Sequence, residues 1–525
     1  MKKFLAMFVV GTFLLAGCSS GGGGSGGSGD KGGQQVAAAP ATSTLVIGNS
    51  AELNGLDPHI RLSTFNARVS NQIFQPLFRL SADGKIEGVL ATAYKNVDPT
   101  TWEFTLREGV TFHDAAPWNA QAFVDNLKRM FDKALPSNVS SGIPTVVPDK
   151  TEIVNDHTVR VHTSTPDALL PRRFSHYWLS FVSPKVIDGH DAAYVATHPV
   201  GTGPYTFVDW KKDDHLTLKA WSGYWGPKAT IDTLTFKPLP DPQSRVSALL
   251  AGQIDMAVDV PTPAVAQIDA NPGTKIITAP TGTMEYNLYV DARKGGALAN
   301  PKVRLALNYA IDRESIVKQV MGGMAVPTQS VVTPQSFGYN SDLQPYGYNP
   351  DKAKALLKEA GYGDGFTTNL WYVPGASPNE QEVTQTIQGY LAAVGVKVTL
   401  KPNEFTTNLS QTLGGKLDGL FYAGKTNQIM DADGIFTDSA PGSPWGQYAP
   451  LAGEALTLWK QEQQTFDDAQ RAKLAQQIQK LLYDAPNWVY LHQMKQVYAV
   501  SSRVQGWQPR QDILLDFAGV TVQSK

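Results

Sequence analysis

NPKVRLALNYAIDR, residues 300–313, and YNPDKAKALLKEAGY, residues 348–362, are the stretches that decide the fold. Each opens on asparagine then proline, so Asn300 and Asn349 serve as N-caps while Pro301 and Pro350 occupy a first helical position whose N–H has no partner anyway. Apolar residues then return at helical spacing: Val303, Ala306, Leu307, Ala310 and Ile311 in the first stretch, Ala353, Leu356, Leu357 and Ala360 in the second. Gly361 closes the second helix as a left-handed cap. A third helix is expected from about Asp467 to Tyr483, with Leu474, Ile478, Leu481 and Leu482 buried and the adjacent carboxylates Asp467 and Asp468 at its positive end. Elsewhere the period drops to two. Leu216-Thr-Leu-Lys-Ala220 and Thr233-Leu-Thr-Phe-Lys237 alternate as half-buried strands do, and Thr44-Leu-Val-Ile-Gly48 reads as a buried one. Further strand-like runs lie at 102–106, 159–162 and 206–210. Strands and helices mixed along the whole length predict an α/β architecture, and no repeat of solenoid or propeller length is present.

The chain beyond residue 43, about 480 residues, exceeds what one core serves and predicts two or more lobes. Composition is that of a globular protein, 42% hydrophobic and 18% charged. With 45 basic residues against 47 acidic ones there is no basic excess of the kind a nucleic-acid binder normally shows, and no nucleic acid is expected as a partner.

The N-terminus differs in kind. Lys2-Lys3 precede an apolar segment, Phe4 to Gly17, too short to span a bilayer, and Leu15-Ala16-Gly17 leads into Cys18, the only cysteine. This resembles a bacterial lipoprotein signal peptide, which implies that residues 1–17 are removed and that Cys18 carries diacylglycerol. With Cys18 lipidated, no thiol is left for a disulfide, a thiolate metal site or a nucleophile. Residues 18–43, rich in Gly and Ser, are expected to be a flexible tether with a typical reach of about 25–30 Å. Within it Gly23-Gly-Ser-Gly-Gly27 matches G-x-S-x-G, yet no strand or helix flanks it to build a nucleophile elbow.

Searches for chemistry return little. Gly419-Leu-Phe-Tyr-Ala-Gly-Lys-Thr426 fits the phosphate-binding pattern G-x-x-x-x-G-K-[ST], but 420–422 read as a buried strand and no helix is expected to start at the lysine. The nine histidines are scattered, and His157 and His162 fall on strand and turn positions. Asp431-Ala-Asp433-Gly434 is a fragment of a calcium loop without its other ligands. No nucleophile has a visible base, which weighs against the rival class, an extracytoplasmic hydrolase. No metal and no cofactor are expected.

Five segments in order then resemble the family 5 extracytoplasmic solute-binding proteins of peptide, opine and nickel ABC importers. They are residues 102–114 (WEFTLREGVTFHD), 199–205 (PVGTGPY), 221–226 (WSGYWG), 300–313 and 348–362. Each also has a plain structural role, Gly201 and Gly203 permitting turns and Tyr205 packing in a core. Ala115-Ala116-Pro117 departs from the family's glycine-containing turn. The resemblance implies a type II periplasmic-binding-protein fold with a central ligand cleft. Its first lobe covers 44–284, with an extra subdomain at about 75–200; its second covers 285–490, and 491–525 return to the first. It also implies a monomer that captures an oligopeptide or a peptide-like, anionic compound and delivers it to ABC permease subunits with their cytoplasmic ATPases. A nickel- or metal-chelate receptor of the same family is the alternative.

The same resemblance supplies candidate ligand contacts. Peptide-binding members carry an aspartate for the ligand's ammonium, and that position falls on Gln428 here, in the stretch Lys425-Thr426-Asn427-Gln428. A neutral amide lacks the charge assistance of a carboxylate. Where dipeptide-binding members keep an arginine, this chain reads Trp371-Tyr-Val-Pro-Gly-Ala-Ser377. Lys425 is either a cation facing an anionic ligand or a solvated lysine. Trp371 and Tyr372 either stack on the ligand or pack in a core. Tyr286 and Asn287 are expected where the chain crosses between lobes, and Thr64 and Asn66 in the loop after the first strand.

Overall fold

The computed structural model describes residues 43–60, 64–135, 139–279, 284–328, 330, 332–374, 377 and 379–524. The expected signal and tether, and with them Cys18, lie outside these residues. Two open sheets carry the two lobes. The first has seven strands in the order Thr274–Thr278, Val497–Ser501, Met256–Ala257, Thr44–Asn49, Thr233–Pro238, His215–Ala220, Tyr205–Lys211. Thr44–Asn49 lies inside, parallel to both neighbours, and Leu45 and Ile47 are wholly buried, as the apolar run requires.

The second sheet has six strands in the order Ala325–Pro327, Val489–Met494, Met284–Val290, Leu420–Thr426, Phe366–Tyr372, Val396–Pro402. Met284–Val290 runs antiparallel to both neighbours. The helix Glu380–Ala393 provides the crossover between the parallel pair Phe366–Tyr372 and Val396–Pro402. The helices Pro301–Ala310 and Pro350–Glu359 form where their caps stand: Asn300 Oδ1 accepts from the Lys302 N–H and Asn349 Oδ1 from the Lys352 N–H, both at 2.9 Å. Val303, Ala306, Leu307 and Ala310 are buried, and Gly361 takes a φ of 86°. The helix Asp468–Asp484 buries Arg471, Ala475, Ile478, Gln479 and Leu482, whereas Leu474 and Leu481 are only half-buried. The expected stripe is displaced because the Arg471 guanidinium claims the buried face, held there by two carboxylates.

An extra subdomain is inserted before the first sheet closes. Its antiparallel sheet runs Ala91–Asp98, Thr101–Leu106, Thr158–His162, Glu152–Asn155. Trp118, Phe123, Phe174 and Phe181 give it a core of its own. The chain crosses from the first sheet to the second between Thr278 and Met284 and returns between Met494 and Val497. The return expected at 491 therefore falls inside a strand that pairs wholly within the second sheet. Residues 487–500 form a nearly unbroken buried run, and only the half-buried Lys495-Gln496 marks the break.

Candidate functional site

Where the strand Leu420–Thr426 ends, the chain turns through 427–430 before the helix Ala432–Asp438 begins. Asn427 shapes this loop: its Nδ2 donates to Ser336 Oγ at 3.1 Å and to the Asp431 carbonyl at 2.8 Å. Met430 adopts a left-handed φ of 47°, and Asp431 caps the helix by accepting from the Asp433 N–H. The phosphate-loop reading of 419–426 is excluded by geometry, since Lys425 and Thr426 continue a strand.

The loop faces the extra subdomain across the interlobe gap. Gln428 Nε2 donates to the Tyr177 hydroxyl at 3.3 Å. Arg172 donates to the Ile429 and Met430 carbonyls at 3.0 and 3.4 Å and stands 3.3 Å from Asp431. Beside it Arg173 pairs with Asp433 at 3.1 Å, and the Ala168 N–H donates to the Gln463 carbonyl at 2.9 Å. Within the second lobe Arg471 grips Asp431 with two hydrogen bonds, at 2.9 and 2.8 Å, and Glu462 with a third at 2.7 Å. Burial pushes the Asp431 carboxyl up, but Arg471 and Arg172 outweigh it and hold the group below its usual range. Asp433 is raised, because burial outweighs Arg173. The two lobes are thus in contact through buried charges of opposite sign, and among the buried charged atoms of this cluster only Arg173 Nε and Glu462 Oε2 lack a hydrogen bond.

Other expected residues lie elsewhere. Lys425 is not an unpaired cation: its Nζ is 2.7 Å from Asp438 and 4.8 Å from the Trp445 ring centre, so the lysine serves its own lobe. Tyr286 is buried between the rings of Tyr422 and His492, at 5.3 and 5.5 Å, in the core beneath the crossing. Tyr372 joins that core, while Trp371 donates Nε1 to Asp418 at 2.9 Å. Trp371, on the opposite face of the strand from Tyr372, is half-buried against a second core. Asn287 is buried on the opposite face of the strand from Tyr286. Asn66 donates to the Gly55 carbonyl at 2.6 Å and ties down the loop after the first strand; Thr64 opens the helix Thr64–Ile73, its side chain lying outside the described residues. The structure therefore brings together Thr426, Asn427 and Gln428, and adds Arg172, Arg173 and Tyr177. The adjacent arginines within the apolar stretch Leu169-Leu-Pro-Arg-Arg-Phe174 were the available signal for those. Among the described residues no three histidines, cysteines or carboxylates gather as a metal site, and no helix is long and apolar enough to cross a membrane.

Two sheets joined by two crossings and meeting over a loop between them define a two-lobed solute receptor. The chain belongs to family 5 of the bacterial extracellular solute-binding proteins, whose middle-region model matches residues 85–446. It is 31% identical over 496 residues to the glutathione-binding protein GsiB of Salmonella paratyphi A, covering 90% of this chain and 93% of the relative. Among solved structures it superposes on the periplasmic binding protein DppA of Helicobacter pylori, in complex with the peptide STSA, with a TM-score of 0.79 at 25% identity, covering 92% of this chain and 98% of the other. It also superposes on AgaA from A. tumefaciens R10, in complex with agropinic acid, with a TM-score of 0.78 at 26% identity, covering 92% and 99%. The fold is that of the type II periplasmic binding proteins, and the chain is the solute-binding component of an ABC importer.

Proposed function

We propose that this chain captures a small peptide-like solute between its lobes and hands it to its permease, acting as a monomer tethered outside the cytoplasmic membrane by a diacylglycerol on Cys18. The observation that carries the reading is the loop 427–430, whose Gln428 amide and two carbonyls meet Tyr177 and Arg172 of the opposite lobe. A ligand entering here bridges the lobes with hydrogen bonds and shifts them toward the closed state by its differential affinity for it. Relatives of this chain are named for glutathione or were solved with a peptide or agropinic acid, which supports the reading of an amino-acid-derived ligand. Within that class Gln428 disfavours a strict dipeptide, since the amide returns no charge to a terminal ammonium. Lys425, spent on Asp438, gives no reason to prefer an anion. Thermal-shift screening against glutathione, di- and tripeptides, opines and nickel chelates tests the reading. A ligand at 100 times its Kd adds about 2.7 kcal/mol. Stabilisation by a nickel chelate and by no peptide or opine overturns it.

A further inference from the structure

The strand Met284–Val290 carries Glu285, Asn287 and Tyr289 on one face, as alternate residues of a strand must. All three are buried, with Glu285 only 1% exposed. Among the described residues only the neighbouring Asn287 amide offers help to the Glu285 carboxyl and the Tyr289 hydroxyl, and by geometry both Glu285 oxygens, Asn287 Oδ1 and the Tyr289 hydroxyl are without a hydrogen-bond partner. The neighbouring strands do not supply one. Glu285 stands opposite Lys425 on one side and Gln493 on the other. Lys425 is taken by Asp438, and Gln493 donates to Gln335 Oε1 at 3.3 Å. Tyr289 is enclosed by the rings of Phe421, Trp445 and Trp488. Burial pushes the Glu285 carboxyl well above the usual carboxylate range, and the Asn287 amide offsets this only in part. A row of buried polar groups without full hydrogen bonding is costly to hold and is consistent with a place where a partner arrives.

Its location agrees. Glu285 is level with Lys425 in the register, three residues before Gln428, which crosses to Tyr177. Gln335, hydrogen-bonded to Gln493, has its backbone against the extra subdomain: a Cβ added to Gly84 would lie 3.5 Å from the Gln335 carbonyl oxygen.

We infer that Glu285, backed by Asn287 and Tyr289, forms an acceptor-lined subsite in the second lobe that takes a cationic group of the ligand, an ammonium or guanidinium. The inference rests on the peptide-like reading above and supplies the anchor that Gln428 does not. The group comes from the ligand's amino terminus or from a lysine or arginine side chain. On pairing, the neutral acid gives its proton to solvent and the carboxylate faces the cation. The other titratable groups facing Glu285 are Tyr289 on its own strand, Tyr490 on the strand Val489–Met494, Lys425 on the strand Leu420–Thr426 and Asp438 behind it. Both tyrosines are pushed above their usual range by burial and the lysine and aspartate neutralise one another, so Glu285 is the group left to lose a proton on binding.

The test is calorimetric titration of the folded protein and its E285Q variant with Ala-Ala-Ala, Ala-Lys-Ala and their N-acetyl forms, in buffers of different ionisation heat. If the amino terminus is held, E285Q weakens Ala-Ala-Ala by about 10- to 100-fold, to the level of its N-acetyl form. If a side chain is held, N-acetyl-Ala-Lys-Ala keeps its affinity for the native protein and loses it with E285Q. In either case any proton that the native protein releases on binding comes from Glu285 and is absent from the titration of E285Q. Equal affinity of both proteins for every cationic probe overturns the subsite and leaves the peptide reading standing. Failure of all four peptides to bind the native protein, while a nickel chelate binds and no opine or glutathione does, overturns both; failure of the four peptides alone overturns the subsite. Should E285Q not fold, the four peptides decide with the native protein alone, and equal affinity for each peptide and its N-acetyl form together with equal affinity for Ala-Ala-Ala and Ala-Lys-Ala overturns the subsite.

Discussion

Replacing Arg172 by methionine tests how the lobes are held together. The guanidinium makes three contacts across the gap: hydrogen bonds to the Ile429 and Met430 carbonyls and an ion pair with Asp431. Met keeps most of the aliphatic bulk, and Asp431 retains its two hydrogen bonds from Arg471, so no buried charge is orphaned and the fold is expected to persist. When the lobes separate, water replaces each lost contact, so the net worth of each is about 1 kcal/mol rather than its gross strength. Removing three shifts the closing equilibrium by about 2–3 kcal/mol, roughly 30- to 150-fold. In a receptor that is open without ligand, Kd rises by that factor because the binding-competent closed state is less accessible. Calorimetric titration with the tightest peptide of the screen reads the change, and small-angle scattering reads the radius of gyration at saturation. An unchanged Kd with an intact fold refutes the argument. A fall of several degrees in the melting temperature of the unliganded variant would instead make Arg172 a structural residue of its own subdomain.

Three further outcomes are expected. His492 is held at about 3 by burial, reinforced by Arg313, and His59 at about 4 by burial and Arg129 against Asp57, so both are neutral in the fold. Each folded value lies below the unfolded one of about 6.5. The stability they permit is thus complete above that pH and lost as pH falls toward 4, by about 3 kcal/mol for His59, and His59→Gln should flatten the melting-temperature profile across that window. Lys425→Met should lower stability by about 1 kcal/mol, and adding Asp438→Asn should recover part of it; a tenfold loss of ligand affinity from Lys425→Met, with stability unchanged, would restore the lysine to the site. Cys18→Ser should leave the folded body intact but move the exported protein from the membrane fraction to the soluble one, and retention at the membrane would end the anchor reading.

The helices were legible because their signals are local. Asn-Pro caps, apolar faces at helical spacing and a glycine past the end are all within a dozen residues of one another, and the caps at Asn300 and Asn349 stand where the sequence put them. The alternation at 216–220 and 233–237 likewise became neighbouring strands. The return between lobes was less legible. Two strands belonging to different sheets abut there, Val489–Met494 and Val497–Ser501, and all but the last residue of the eleven they span are buried side by side, so hydrophobicity cannot date the crossing. The misjudged face of the helix Asp468–Asp484 has a related cause: the buried residue that fixes its rotation is an arginine, and its partners Asp431 and Glu462 come from other elements.

The site follows the same rule more severely. Whether Lys425 is a ligand contact depends on Asp438, thirteen positions on, which is brought back to it only because the loop 427–430 and the helix Ala432–Asp438 double the chain over. Gln428 and its neighbours were legible from the family pattern; their partners Arg172 and Tyr177 lie about 250 positions earlier, on the extra subdomain. A cleft between lobes is written in two halves of the sequence, and neither half carries a period, a cap or a motif that names the other. Charge offers one way to read it. An ionisable residue inside an apolar run must find a partner in the fold or in the ligand. Arg172 and Arg173 found theirs across the gap, in the second lobe. Glu285, set in the strand 284–290, has only the weak help of the Asn287 amide among the described residues, and by the same logic the proposed partner is a cation that the receptor carries.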